Sequence, residues 1–310
     1  MTRSKLRALV EALRIHQWIK NGFIFAAPVF GRKIADPTIA GRTIAAFVVF
    51  SLAASAVYVL NDLIDRERDR AHPKKRRRPI ASGRVTTGEA ALLIATLVAA
   101  AAILSVVLLP PAATALIGVY LAANVLYTFH LKHVVILDVM FIAVGFLIRV
   151  LTGAAAAHVA PSHWLLLCTL TLSLFLGFTK RRAEIVAMND NARDHRRVLD
   201  HYSIAFLDQM IAIVTGATLV CYILYTVDAR TVSEFGSPYL VATVPFVLYG
   251  MFRYLYLGYH RDEGGNPTRA ILTDWPFLIN LLLWGLACLA VIYYGETLAA
   301  RFPWDTLPRP

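Results

Sequence analysis

Apolar and polar positions fall in long blocks along this chain. Uncharged or nearly uncharged runs recur at about 18–30, 43–60, 89–109, 112–130, 134–157, 162–179, 205–227, 238–258 and 275–298. Most approach the ~20 residues that an α-helix needs to cross ~30 Å of hydrocarbon. The pattern predicts an all-α, polytopic membrane protein with about nine transmembrane helices. The first run is short for a span unless residues 1–15 extend it. Those residues form a basic amphipathic lead expected on the cytoplasmic membrane surface.

Composition agrees: 58% of residues are hydrophobic and 16% charged, with a mean hydropathy of +0.59. A soluble domain is nearer ~45–50% apolar and ~25% charged. The net charge of +11 does not point to nucleic acid, because the basic residues lie between apolar spans. Segments 1–20, 61–88, 129–134, 180–204 and 258–275 hold 23 of the 31 Lys and Arg, nine of them in 61–88 alone. The opposite loops hold Arg32, Lys33, Arg42 and Arg230. By the positive-inside rule the N-terminus and the basic loops are cytoplasmic and the C-terminus lies outside a cell inner (plasma) membrane. Cys168, Cys221 and Cys288 each sit inside an apolar run with no CxxC spacing and read as packing residues. The first twenty residues mix charges with short apolar pieces, unlike a cleavable signal. No soluble domain or low-complexity tract interrupts 1–310, which reads as one transmembrane domain with cytoplasmic active-site loops at 61–88 and 180–204. Nothing in the pattern sets the oligomeric state, and a homo-oligomer stays open.

The candidate chemistry begins where the second run ends, at Asn61-Asp62-Leu-Ile-Asp65-Arg-Glu-Arg-Asp69, followed by a basic cluster. At about 100° per residue, an unbroken helix puts Asn61, Asp65, Asp69 and Asp62 at about 0, 40, 80 and 100°, within one arc. Carboxylates on one face repel, and Mg²⁺ relieves that repulsion by taking carboxylate and phosphate oxygens as ligands. The stretch reads as a seat for a magnesium-bound diphosphate, with Tyr58 one turn earlier offering a hydroxyl. A solvated helix end is the plainer alternative.

Lys20 is expected near the cytoplasmic end of the first span, and Tyr127 and Lys132 at that of the fourth, where each serves a phosphate or anchors the interface. Asp138 and Arg149 share the fifth span about 16 Å apart, too far to pair. Ionisable residues inside a span are functional candidates by default. Arg149 either brings charge to an anion or links two helices. Thr179-Lys180-Arg181-Arg182-Ala-Glu184, three cations and one acid, favours an anion over a metal. Asp190 and Asp194 have the spacing of a second metal motif, and Asp208 and Asp274 are minor candidates. The histidines show no coherent metal spacing.

Asn61-Asp62-x-x-Asp65-x-x-x-Asp69 with Arg78-Pro-Ile-x-x-Gly83 resembles the UbiA-type intramembrane prenyltransferase superfamily over nearly the whole chain. His16-Gln-Trp18-x-Lys20-Asn21, Phe50 to Tyr58, Leu131-Lys132-His133, Leu147-Ile-Arg149 and Lys180-Arg181-x-Ala183-Glu184 are similar, more narrowly, to its decaprenyl-phosphate phosphoribosyltransferase branch. The resemblance implies nine helices around a central cavity that opens to the cytoplasmic side. It implies transfer of 5-phosphoribose from phosphoribosyl diphosphate to a polyprenyl phosphate, as a step toward arabinose-donor lipids. It further implies Mg²⁺ on Asn61 and Asp65, with Asp62 and Asp69 beside them, and Asp65, Asp62 and Asp69 as the catalytic acids. Lys20, Tyr58, Lys75, Arg78, Tyr127, Lys132, Arg149 and Lys180, with Arg181 and Glu184, would surround the substrates. Asp138 and Arg182 depart from that pattern, where Glu and an aromatic residue are expected. The nearest rival is a prenyltransferase acting on an aromatic or haem acceptor. A transporter would show broken spans in matching halves, and none is visible.

Overall fold

A computed structural model describes residues 3–71, 75–186, 197–260 and 273–303. Among these there is no strand, and the helices are α1 (Arg3–Ala12), α2 (Ala26–Phe30), α3 (Pro37–Ile64), α4 (Arg66–Ala71), α5 (Thr87–Leu108), α6 (Pro111–Phe129), α7 (Leu137–Ala157), α8 (His163–Val186), α9 (Ile204–Val227), α10 (Ala229–Phe235), α11 (Val244–His260) and α12 (Trp275–Arg301). Eight described helical segments are long and apolar enough to cross a membrane: α3, α5, α6, α7, α8, α9, Tyr239–Tyr259 and α12. The protein is a multi-pass membrane protein.

The segment expected as the first span is not among the eight. It runs as a 3-10 helix from Ile15 to Phe25 and then as the short α2. Its side chains climb α3 in register: Arg14 meets Asp62, Trp18 donates to Ser55 Oγ (3.0 Å), Asn21 to Ser51 Oγ (2.9 Å), and Phe25 packs on Phe47. Positions 14 to 25 thus cover what α3 covers from 62 to 47, eleven residues against fifteen. That ratio is expected of a 3-10 rise of ~2.0 Å beside an α rise of ~1.5 Å. The stretched backbone lets a short segment reach further, which the apolar pattern alone does not reveal.

The chain divides into two compact units, Met1–Pro161 with Asn191–Val198, and Ser162–Asp190 with Leu199–Pro310. In the first unit α3 is the hub, packing on α5, α6, α7 and the 3-10 run. Its N-terminus is set by Asp36, which accepts from the Thr38 and Ile39 amides, and by Pro37 in the first turn. Half of its buried positions are Ala or Ser: Ala46, Ser51, Ala53, Ala54, Ser55 and Ala56. Between helices in lipid, small residues permit the close approach that dispersion requires. The same logic holds at Gly153 of α7, where a Cβ would overlap the Ile24 carbonyl of the 3-10 run. Thr86 and Glu89 form a capping box at the start of α5. Lead helix α1 buries Ala8 and Ala12 against Ile80, Val85 and Ala90, and ties its polar face down through Glu11–Arg84 (2.6 Å) and Lys5–Glu89 (2.6 Å).

In the second unit α8 packs on α9 and α11 on α12. Tyr222 OH, beside Thr243 Oγ1 (2.7 Å), accepts from Trp284 Nε1 (2.9 Å), so three segments satisfy each other's polar groups away from lipid. Asp274 caps α12 and takes both arms of Arg253 (3.1 and 2.8 Å).

Two expectations follow. Gly153→Ala should cost about 1–3 kcal/mol by overpacking, read as a lower unfolding temperature in detergent; an unchanged temperature would mean that the 3-10 run does not press on α7. The Glu11 carboxyl is held below its ordinary range, first by the hydrogen bond from Arg84. Its contribution to docking α1 is therefore present above the unfolded value and is lost as pH falls through the lower folded one. A nitroxide at exposed Leu6 should gain mobility on acidification, and Glu11→Gln should be more mobile than wild type already at neutral pH.

Candidate active site

The helix that carries the acidic stretch stops inside it. Ile64 is the last residue of α3, Asp65 is its C-cap with its amide on the Asn61 carbonyl, and α4 begins at Arg66. The single arc expected of an unbroken helix is thereby replaced by two separate pairs. Asp62 and Asp69, both buried, turn toward arginines: Asp62 Oδ1 accepts from Arg14 and from Arg78 Nη1 (3.0 Å), and the same Arg78 nitrogen donates to Asp69 Oδ2 (2.6 Å). Asn61 and Asp65 face α6 and the turn after it. Thr128 Oγ1 lies 2.7 Å from Asn61 Oδ1, and Lys132 Nζ lies 2.9 Å from Asp65 Oδ1. The divergence has a local cause, since Asp62 sits about 100° around the axis from Asn61.

Each pair is held from behind. Arg78 opens a loop whose next residues, Pro79 and Ile80, are buried, whose Ala81 carbonyl accepts from Arg70 of α4 (3.0 Å), and whose Gly83 has a φ of 78°. Arg14 has φ 51° and ψ 49°, a left-handed conformation that few residues other than glycine adopt. There the chain turns from α1 into the 3-10 run and lays the guanidinium 5.6 Å from the centre of the Tyr58 ring. Lys132 is buried with Asp65 as its ion-pair partner, and its ammonium has three donors, so capacity remains for further oxygens.

Asn61 and Asp65 suit a hard divalent cation. They are oxygen donors four residues apart at a helix end, already drawing a hydroxyl and an ammonium. Mg²⁺ is usually held by one or two protein oxygens and completes its octahedron with substrate phosphates and water. Among the described residues, no three His, Cys, Asp or Glu side chains gather as a metal cage. Two protein ligands and a phosphate-rich substrate are what the donor set accommodates.

Deeper in the same unit, Arg149 is buried and fully engaged. Nε donates to Asn21 Oδ1 (2.8 Å), Nη1 to the Gly145 carbonyl (2.8 Å) and Nη2 to Tyr120 OH (3.3 Å). The rings of Phe50, Tyr120 and Phe146 surround it at 4.9, 5.0 and 5.3 Å. Those contacts stabilise a guanidinium that pairs with no carboxylate among the described residues, and they fasten the 3-10 run to α7. Beside it, Tyr127, Asn124, Phe141, Ile142 and Gly145 help line a cavity of about 50 Å³ between α6 and α7. Lys20 is half-buried one residue before buried Asn21, and Lys75 is exposed in the loop after α4.

In the second unit, Arg181 is buried with Nη1 on Glu184 (2.6 Å), and Lys180 lies 3.8 Å from the same carboxylate. Arg182 pairs with Asp208 (2.5 Å) and stacks 3.8 Å from the Tyr259 ring centre, while Tyr259 OH donates to Asp208 (2.7 Å). A flat guanidinium therefore takes a stacking position at Arg182, where the resemblance leads one to expect an aromatic residue. Asp190 and Asp194 lie outside the described residues.

The sequence model of the UbiA prenyltransferase family matches residues 23–282, across both units. The chain belongs to this family. Among UbiA relatives, the decaprenyl-phosphate phosphoribosyltransferase of Corynebacterium glutamicum is 34% identical over 291 residues, covering 92% of this chain and 86% of that one. The enzyme of the same name from Mycolicibacterium smegmatis is 34% identical over 308 residues, covering 94% and 95%. A UbiA homologue from Archaeoglobus fulgidus, solved with GPP and Mg²⁺ bound, matches with a TM-score of 0.67 over 92% of this chain and 99% of its own. At 14% identity that match is one of fold.

Arg14 and Thr128 are site residues that sequence reasoning passed over. A signal for Arg14 existed: Asp62 and Asp69 bury two charges and Arg78 neutralises one of them, so a second cation was required. Asp62→Asn should destabilise the first unit toward the lower end of the ~3–5 kcal/mol typical of a broken buried pair. Unfolding in detergent would measure it, and a variant as stable as wild type would remove the ion cluster from its structural role.

Proposed function

We propose that this protein transfers 5-phosphoribose from phosphoribosyl diphosphate to a polyprenyl phosphate, decaprenyl phosphate or one like it, and releases diphosphate. The observation that carries the choice within the UbiA family is the similarity, over nearly the whole chain, to two decaprenyl-phosphate phosphoribosyltransferases. The geometry supports it with a seat of two hard oxygens beside a buried ammonium. The steep bias of Lys and Arg supports a site on the cytoplasmic side of an inner membrane, with the N-terminus inside and the C-terminus outside.

In this reading Asn61 and Asp65 hold Mg²⁺. When bound, the ion supplies neutralisation of the departing diphosphate. Lys132, kept at the seat by Asp65, offers its remaining N–H groups to diphosphate oxygens as charge builds on them and C1 of the ribose becomes oxocarbenium-like. The acceptor phosphate is ionised at neutral pH and attacks C1 directly, so no side chain is assigned as general base. Asp62 and Asp69 act through the arginines they orient. Lys20, Tyr58, Lys75, Tyr127, Lys180, Arg181 and Glu184 are proposed contacts of phosphate or lipid, and Arg149 supports the cavity wall between α6 and α7.

Membranes carrying the protein should move label from phosphoribosyl diphosphate into a polyprenyl phosphate. Asp65→Asn keeps an acceptor for Lys132 and should remain folded, while transfer falls by at least about 100-fold, the scale of losing a charge-stabilising group. Near-normal turnover by that variant would refute the metal role. Label that stays aqueous, with transfer from a prenyl diphosphate instead, would refute the donor.

A further inference from the structure

Arg14 and Arg78 are bound more tightly than surface arginines and yet spend little of their donor capacity. Each directs one terminal nitrogen at Asp62 Oδ1, and Arg78 uses that same nitrogen for Asp69. Among the described residues, neither guanidinium has another hydrogen-bond partner, so Nε and the second terminal nitrogen of each keep their N–H groups. Those nitrogens are not among the buried unpartnered atoms, and the two side chains retain 21% and 29% exposure. Two planar cations are therefore locked by buried carboxylates on one edge and open on the other. They are gathered around a single carboxylate oxygen at the end of α3.

Such a pair matches a phosphate monoester. A guanidinium edge binds phosphate through paired N–H groups, and a dianion between two cations relieves the repulsion that their shared anchor leaves. The pair lies beside the cation seat, since Asp62 is the neighbour of Asn61 in sequence and about 100° away around the helix. A donor that fills both places carries a diphosphate at one end and a monophosphate at the other, with a short spacer between them. A pentose bearing phosphate at C5 is such a donor, and a prenyl diphosphate has nothing to put there. We infer that Arg14 and Arg78 form a second phosphate subsite, which takes the 5-phosphate of the donor while its diphosphate lies at Asn61, Asp65 and Lys132. The inference rests on the donor proposed above and adds to it the group that separates this donor from prenyl diphosphates.

The test uses the full-length protein in detergent and two fragments as competitive inhibitors of phosphoribosyl transfer. Ribose 5-phosphate probes the subsite, and inorganic diphosphate probes the cation seat. Arg14→Gln should weaken inhibition by ribose 5-phosphate about 10- to 100-fold, the range for losing hydrogen bonds to a charged group. It should raise KM for phosphoribosyl diphosphate to match and leave inhibition by diphosphate within about 2-fold of wild type. Arg14→Lys keeps the ion pair with Asp62 without the fork, and decides the case if Arg14→Gln fails to fold. A lasting loss of ribose 5-phosphate inhibition in the Lys variant supports the subsite; full recovery overturns the forked contact inferred here, because Lys restores the charge and the ion pair with Asp62 but not the paired N–H groups of a guanidinium. Equal weakening of both inhibitors also overturns it. A wild-type protein that does not turn over phosphoribosyl diphosphate overturns the donor reading itself, a different result from any of these.

Discussion

A carboxylate at the end of an apolar helix, buried away from water, must find a cation, and in this protein Asp62 finds two. The desolvation cost of such a group is several kcal/mol, and only close, well-directed partners offset it. Much of the first unit's end is arranged to deliver them. Arg14 arrives by a left-handed turn that joins α1 to the 3-10 run, and Arg78 arrives on a loop pinned by buried Pro79 and Ile80. Asp69 supplies the second negative charge, so two acids and two arginines balance. The turn after α1, helix α4, the loop that follows it and the end of α3 are tied to one another through four side chains, of which Arg14 comes from 48 residues before Asp62.

The same demand for satisfied polar groups explains the 3-10 run. Backbone and side chain inside a bilayer have no water to turn to, so Trp18, Asn21 and Arg14 each find a partner on α3. The partners on α3 are spaced for an α-helix, and the run stretches to meet them. Arg149 locks the inner end of this arrangement with an amide, a carbonyl, a phenol and three aromatic faces.

With Asp62 and Asp69 committed to arginines, Asn61 and Asp65 are left as the exchangeable oxygens. An acid-rich motif thus divides its labour: one pair binds arginines that join the end of α3 to its neighbours, and the other is the pair to which the proposed function gives a cation and a phosphate. The second unit treats its charges similarly. Glu184 and Asp208 engage Lys180, Arg181 and Arg182, and Tyr259 stacks on the last of these. Fixed charge near lipid is kept in pairs and networks, which limits the cost of burial and orients the donors that remain.

Hydrophobic block length was enough to establish the helical class, the membrane setting and most of the spans, because the ~30 Å thickness of the bilayer imposes one length on them all. The Asn61 to Asp69 stretch was likewise legible as an acid cluster at a helix end, and Lys132 as a nearby cation. Which acids serve which purpose was decided only in three dimensions. A helix wheel assumes that the helix continues, and α3 ends at Ile64. The partners of the four residues come from positions 14, 78, 128 and 132, and no local rule relates those positions to 61–69. The 3-10 geometry of residues 15–25 was hidden for the same reason, since its rise is set by what lies opposite on α3 and not by its own apolar content. Composition and period govern what a segment can bury; where a charge finds its counter-charge depends on contacts made across the fold.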